Sequence, residues 1–178
     1  ALQSNTTGYD NVATGHNALQ NNTTGHHNVA TGPYALLNNT TGHYNIASGY
    51  KALYNSQTIS SNIGIGYQAL YNNTNHTHNV AVGNHTLYYT NGYRNVALGY
   101  YAGHYQGANC HYNTYIGALT SITPSNATWT ESTAIGYGAN IAKSNQIVLG
   151  KSSTPPDVYI PGFLGIGTAN PLAPLYIN

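Results

Sequence analysis

A pentapeptide of the form Asn-Val-Ala-Thr-Gly recurs along most of the chain, and this periodicity constrains the fold more than any other feature. Its copies occupy residues 11–15, 28–32, 45–49, 62–66, 79–83 and 95–99, with weaker copies at 113–117, 132–136 and 146–150. The closing glycines of successive copies are 17, 17, 17, 17, 16, 18, 19 and 14 residues apart. Self-similarity at a step of this size is typical of a solenoid, in which each repeat forms one coil.

Each pentapeptide predicts a short β-strand, because it is too short and too β-branched for a helix. Alternation along the strand places Val12 and Thr14 on one face and Ala13 and Gly15 on the other. An Ala-Leu step follows three residues later in the first four complete repeats and predicts a second short strand with a buried leucine. The Ala-Leu steps lie at 18–19, 35–36, 52–53 and 69–70.

Polar turns complete the unit. The segment Asn-Thr-Thr-Gly occurs at 5–8, 22–25 and 39–42, and glycine there makes a positive φ inexpensive. Two strands and two turns in 17 residues predict an all-β fold, a parallel β-solenoid with coils of about 17 residues stacked roughly 4.8 Å apart. The first Asn of successive pentapeptides, beginning with Asn11, Asn28 and Asn45, then forms a ladder of side-chain amides.

The apolar residues of one coil are too few for a compact core. Each coil contributes about one Val or Ile, one aliphatic residue or Thr, and one Leu to the interior. The face of the pentapeptide that carries Ala13 and Gly15 is too apolar for a solvated surface. We therefore expect this Ala/Gly face to be buried against copies of itself in a symmetric oligomer.

Three segments are expected along the chain. Residues 1–117 form regular repeats, and residues 118–150 form irregular final coils with a Ser/Thr/Pro-rich insertion that holds Trp129, the only tryptophan. Residues 151–178 read as an extended terminal segment that wraps with its partners.

The low charge excludes several function classes. Only 4% of the residues are charged and the net charge is +1. A nucleic-acid interface needs several Lys or Arg on one face, so the sequence argues against a nucleic-acid partner. Three scattered carboxylates do not form catalytic pairs, so we expect no enzyme and no cofactor. Cys110 is the single cysteine, and no stretch approaches the roughly 20 apolar residues of a membrane span, so no membrane insertion is expected.

The repeat x-Asn-Val-Ala-x-Gly-x-x-Ala-Leu-x-Asn-Asn-Thr-Thr-Gly resembles the head repeats of trimeric autotransporter adhesins over residues 1–150. It is also similar to repeats of phage and large-virus fibre proteins and of bacterial trimeric surface fibres. The resemblance implies a left-handed β-roll with three chains side by side. The segment that begins at Val158 is similar to the one preceding the self-cleaving chaperone domain of many fibres, which implies a mature chain ending near Asn178.

Nine histidines raise the question of a metal site. His76 and His78 are alternate residues of one strand, and a threefold axis would bring six imidazoles together. The alternative is that these histidines occupy the same polar turns as residues of other types. The repeat aligns His78 with Asp10, His27, Tyr44, Ser61 and Arg94, and that column has no metal-binding pattern. The sequence therefore predicts no metal site, and only measurement of bound metal decides the question for His76 and His78.

Two further motifs are explained by the repeat. The run Gly64-Ile-Gly66 matches part of a dinucleotide-binding loop but falls on a pentapeptide with no helix predicted after it. Asn-x-Ser/Thr acceptors for glycosylation follow mainly from the Asn-Thr-Thr turn. These acceptors are Asn5, Asn21, Asn22, Asn38, Asn39, Asn72, Asn75, Asn84 and Asn126.

Tyrosine and histidine in the turns suggest a recognition surface. Tyr9, Tyr44, Tyr93 and Tyr112 share turns with four histidines, and Tyr and Asn are favoured in recognition loops. The four histidines are His26, His27, His43 and His111.

The sequence as a whole predicts an extracellular structural fibre or adhesin segment on a virion or bacterial surface. Its partners would be two further copies in a homotrimer, other fibre segments, and a host-surface glycan or protein bound weakly per site but strongly by avidity. With so few charges, attachment should depend little on salt. One alternative is a purely structural shaft. Another is an ice-binding solenoid, since Thr14, Thr31 and Ser48 begin a rank of hydroxyls that ends at Ile65.

Overall fold

The protein forms a β-solenoid of about eight turns. The structure is a computed structural model that describes residues 1–90, 92–105, 109–151 and 153. Its strands are β1 (Val12–Thr14), β2 (Val29–Thr31), β3 (Ile46–Ser48), β4 (Ile63–Ile65), β5 (Val80–Val82), β6 (Val96–Leu98), β7 (Thr114–Ile116), β8 (Ser121–Ile122), β9 (Thr133–Ile135), β10 (Asn140–Ile141) and β11 (Ile147–Leu149). No helix long and apolar enough to span a bilayer occurs among these described residues.

One parallel sheet runs the length of the stack. Its order is β1-β2-β3-β4-β5-β6-β7-β9-β11, so each pentapeptide pairs with those of the coils before and after it. Equivalent positions are in register, as in Ala13↔Ala30 and Thr14↔Thr31. The bonds between coils are short: the Val12 amide donates to the Asn28 carbonyl at 2.8 Å, and the Gly32 amide donates to the Thr14 carbonyl at 2.7 Å. The predicted parallel solenoid is confirmed.

The faces of this sheet are the reverse of the expected ones. The central residue of each strand in the long sheet faces the inside of the coil; it is alanine in most strands, and Ala30, Ala47 and Ala81 are fully buried. The Val, Ile, Thr and Leu side chains on either side of it point outward instead. The reason is the narrowness of the coil: a Cβ built on Gly64, which takes the place of the alanine in β4, lies only 3.3 Å from the Leu53 side chain. A larger inward residue would overpack the interior opposite these leucines. The fully buried Tyr115 of β7 occupies the same register position beside Gly103, where a Cβ would lie 3.0 Å from the Tyr115 ring.

The Ala-Leu step is a turn in the early coils rather than the predicted second strand. Leu19, Leu36 and Leu53 take the left-handed conformation, with φ near +50°. Their burial was predicted correctly, since each is fully buried. Among the described residues, a two-residue strand pair forms on this side in the last coils, where β8 pairs in parallel with β10.

Amide ladders fill the other part of the interior. Oδ1 of Asn28 accepts hydrogen bonds from the backbone amide and from Nδ2 of Asn45, at 3.0 and 3.1 Å. Oδ1 of Asn45 accepts the same two hydrogen bonds, from the backbone amide and from Nδ2 of Asn62. The predicted ladder that starts at Asn11 is therefore confirmed. A second ladder runs from the exposed Asn5 to Asn22 and Asn39, both of which are fully buried.

The irregular coils keep the same stack. Trp129 is half-buried against the core, and its indole Nε1 donates to the Thr123 carbonyl at 3.1 Å. Cys110 is buried, and its sulfur lies 3.2 Å from the Ala127 carbonyl oxygen. The predicted terminal segment, 151–178, falls outside the described residues except for Lys151 and Ser153.

Candidate functional site

Three surfaces of the solenoid carry candidate functional groups. The apolar sheet face consists of the outward side chains at the first and third positions of the nine strands in the long sheet. The leading edge precedes those strands and consists of Tyr9, Asp10, His26, His27, His43, Tyr44, Ser60, Ser61, Thr77, His78, Tyr93, Arg94, His111 and Tyr112. The trailing edge follows them and consists of Tyr34, Tyr50, Lys51, Tyr54, Tyr67, Tyr71, His85, Tyr88, Tyr89, Tyr100, Tyr101, His104 and Tyr105.

The apolar sheet face is exposed in the single chain. Leu98 is 50% exposed and Val12 is 54% exposed. None of the eighteen outward positions holds a charged residue. The hydroxyl rank of Thr14, Thr31 and Ser48 is in register and is followed by Ile65, as the sequence predicts. The face is therefore predominantly apolar from β4 onward.

The leading edge brings together the aromatic residues predicted from the sequence. Tyr9 stacks on His26 at 4.8 Å between ring centroids, and His26 stacks on His43 at 4.6 Å. His27 stacks on Tyr44 at 5.0 Å. Tyr93 and His111 form a second stack, with ring centroids 3.9 Å apart. Ser60, Ser61 and Thr77 separate the two groups, so this aromatic surface is interrupted.

The trailing edge has a longer aromatic row. Tyr54, Tyr71 and Tyr88 stack in sequence at 5.1 and 4.9 Å, with ring planes within 5° of parallel. The row extends to His104, whose ring centroid lies 5.1 Å from that of Tyr88. The sequence analysis missed this row, although the spacing of 17 residues between the three tyrosines was the signal that could have found it.

Lys51 is the one lysine or arginine among the trailing-edge residues named above, and aromatic rings surround its ammonium group. Its Nζ lies 5.3 Å from the centroid of the Tyr50 ring and 5.2 Å from that of Tyr54. A hydrogen bond to Tyr50 raises the pKa of Lys51, which keeps the group charged. Such cation–π contacts hold the cation against the edge.

The two histidines of the trailing edge are neutral near pH 7. Burial lowers the pKa of His85. Burial also lowers the pKa of His104, while its Nδ1 lies 3.0 Å from the His85 carbonyl oxygen, an interaction that acts in the opposite direction. Burial likewise raises the pKa of Tyr88 and of Tyr101 above 10. Among the trailing-edge residues named above, Lys51 is the one lysine or arginine, acid residues being absent from this set.

The histidines make stability depend on pH. The pKa of His26, His85, His104 and His111 is lowered from the ordinary 6.5, in each case first by burial. The folded chain thus binds protons more weakly than the unfolded chain, so acidification below about pH 6.5 favours unfolding. We expect the melting temperature to fall by several degrees between pH 7.5 and pH 5, as measured by circular dichroism.

Two variants test whether the buried histidines cause this dependence of the melting temperature on pH. His104→Asn removes a buried imidazole and should reduce the fall in melting temperature. His78→Asn changes an exposed side chain whose Nδ1 lies 2.9 Å from the Thr77 hydroxyl, and it should leave the fall unchanged. A melting temperature that is constant or rises on acidification would contradict the assignment.

His76 and His78 lie in the turn before β5 and not on a strand as expected, so strand alternation does not place them on one face. No group of three or more His, Cys, Asp or Glu side chains in the described part of the chain is placed to hold a metal ion. His76 is half-buried, and its carbonyl oxygen accepts a bond from Nδ2 of Asn73 at 2.9 Å. Gly64 lies within β4 and Gly66 directly after it, and a turn follows, not a helix.

The glycosylation acceptors divide by exposure. Asn22 and Asn39 are fully buried, so the folded chain does not present them. Asn21, Asn38 and Asn72 are half-buried within an amide row on the surface. The exposed acceptors are Asn5, Asn75, Asn84 and Asn126.

Comparison with protein-family models, with curated proteins and with solved structures finds no match to this chain. The functional interpretation therefore depends on the chain's own surfaces.

Proposed function

We propose that the chain is a structural segment of a trimeric fibre that attaches to surfaces, displayed outside a virion or a bacterial cell. The observation that carries the proposal is the apolar sheet face. It extends over all nine strands of the long sheet, yet its side chains lie outside an interior that is already filled by alanine, leucine and asparagine. An uncharged apolar stripe of this length is typical of a surface that another protein covers.

Copies of the same chain are the partner that fits this face. Equivalent side chains recur once per coil, so the strands of one chain have the same spacing as those of another along the whole stack. The net charge of +1 gives little repulsion between copies. The resemblance to trimeric fibre repeats favours three copies. Attachment would then use the turns on the outside of the trimer, each site being displayed three times.

The oligomeric mass tests the proposal. Light scattering after size exclusion should give about three chains of 18.9 kDa each. The double variant Ile65→Asp/Leu98→Asp should give one chain, because it places two carboxylates in the apolar sheet face, where a partner would bury them unpaired. Both positions are exposed in the single chain, so its own coils should still form.

Thr58→Asp is the matched control. It adds a carboxylate at an exposed turn position outside the apolar sheet face and should leave the mass at three chains. Circular dichroism of each variant shows whether the solenoid is retained. A stable monomer of the unmodified chain would overturn the trimer and with it the fibre proposal.

A further inference from the structure

We propose that the trailing edge binds neutral, extended polysaccharide chains that lie along the axis of the solenoid. This inference rests on the proposed function, since it names the class of ligand that an attachment fibre would take. It is carried by the continuity of the aromatic row, by the amide row beside it and by the scarcity of charge.

The aromatic row offers the same contact at every coil. Tyr54, Tyr71 and Tyr88 repeat at about 5 Å, and their stacked rings leave edges and hydroxyls as the parts that a ligand reaches. This step is comparable to the length of one sugar residue in an extended chain. A linear polymer aligned with the axis therefore meets an equivalent group at each unit, and weak contacts add along it.

An amide row lies directly beside these rings. Nδ2 of Asn38 donates to Oδ1 of Asn55 at 3.3 Å, and Nδ2 of Asn55 donates to Oδ1 of Asn72 at 2.8 Å. These three residues are half-buried, so they remain within reach of solvent. A side-chain amide has two donors and two acceptor sites, and the row uses one of each. The remaining donor and acceptor suit the hydroxyl groups of a sugar.

Exposed rings continue the amide row in the next two coils. Tyr89 and Tyr105 pair in the same column, with ring centroids 5.6 Å apart and planes 9° from parallel. They are 46% and 54% exposed. Tyrosine combines an apolar ring with a hydroxyl, which matches a sugar that presents C–H groups on its faces and hydroxyls at its rim.

The scarcity of charge favours a neutral ligand. Lys51 is the cation beside the aromatic row, and its ammonium group already lies over the Tyr50 and Tyr54 rings. Beyond Lys51, an anionic polysaccharide would meet the next lysines only in the last coils, at Lys143 and Lys151, so most of the edge offers it no cation. Binding of a neutral polymer should change little between low and high salt.

Electrophoresis in native gels that contain a polysaccharide tests this inference. The probes are hydroxyethyl cellulose, dextran and xyloglucan as neutral polymers, and heparin as the anionic one. At least one neutral polymer should retard the trimer equally at low and high salt. The double variant Tyr89→Ala/Tyr105→Ala should bind about tenfold more weakly, the loss expected for removing one or two aromatic contacts. Both residues are largely exposed, so the fold should tolerate the change.

The matched control is Tyr9→Ala/Tyr44→Ala, which removes two tyrosines of similar exposure from the leading edge. It should bind as tightly as the unmodified chain. Absence of retardation by all three neutral polymers, retardation by heparin alone, or equal loss in both double variants would overturn the inference. Binding to a cell surface that survives removal of its glycans would identify a protein partner instead. The mass of each sample, measured in parallel, shows separately whether the trimer is present.

Discussion

Replacing Gly66 by alanine is expected to lower the free energy of unfolding by about 3–5 kcal/mol. Gly66 follows β4 with φ at +131°, a conformation in which L residues are strained by about 1–3 kcal/mol. A Cβ there would lie 2.5 Å from the carbonyl oxygen of Gly83 in the next coil, and the overpacking adds a similar loss. The melting temperature and the midpoint of denaturation, taken at one fixed protein concentration, measure the effect.

Gly138→Ala is the control for this substitution. Gly138 also has a positive φ, +64°, but other coils place side chains such as Tyr101 and Gln68 at the same position with φ near +55°. The added Cβ would come no closer than 3.4 Å to any neighbour, the nearest being the Lys151 side chain. We expect a change below about 1 kcal/mol. Equal destabilisation by both substitutions would show that contact between coils is not what requires Gly66.

Asn45→Ala is expected to destabilise the chain by about 2–5 kcal/mol. Its Oδ1 accepts from the Asn62 backbone amide at 3.1 Å, and its Nδ2 donates to the Ile59 carbonyl at 2.8 Å. Both partners would lose these bonds in a buried setting, and each unsatisfied group costs about 1–3 kcal/mol. The same unfolding measurements detect the loss.

Asn55→Ala removes an amide of the same kind from the surface row. Asn55 bonds to Asn38 and Asn72, but all three are half-buried and water replaces the lost contacts. We expect a change of about 1 kcal/mol or less. A loss as large as that at Asn45 would mean that burial does not distinguish the two ladders.

The period of the repeat was sufficient to predict the architecture. Spacings near 17 residues, a β-branched pentapeptide and Gly-containing turns lead to parallel strands in register, and the structure has them. The ladder from Asn11 to Asn45 followed from the same periodicity. These features were predictable because every coil repeats them, so that one local pattern determines the whole stack.

The direction in which each strand faces was not predictable from alternation alone. Alternation places Val29 and Thr31 on one side and Ala30 on the other, but it does not state which side is inside. Hydrophobicity favoured the valine inward. The interior is so narrow that, opposite the buried leucines, only the small residue fits, and that is a property of the closed coil.

The residues with left-handed backbone conformation, those with positive φ, could not be recognised from the sequence either. One column holds Asp10, His27, Tyr44 and Arg94, all with φ between +52° and +58°, although none of them is glycine. Each costs about 1–2 kcal/mol in an isolated chain. Bonds between coils, such as that from the Arg94 amide to the Thr77 carbonyl at 3.2 Å, hold the conformation. Sequence reasoning considers one coil and therefore misses this stabilisation.

That same column shows how the surface of the solenoid can vary while its backbone does not. Its backbone keeps one conformation whether the side chain is an acid, an imidazole, a phenol or a guanidinium, and each side chain contacts mainly its neighbours one coil away. A substitution in one turn can therefore alter the surface chemistry of a single coil without disturbing the interior. Because the side chains of this column lie outside the interior, the surface chemistry of the solenoid can change one coil at a time without a cost in stability.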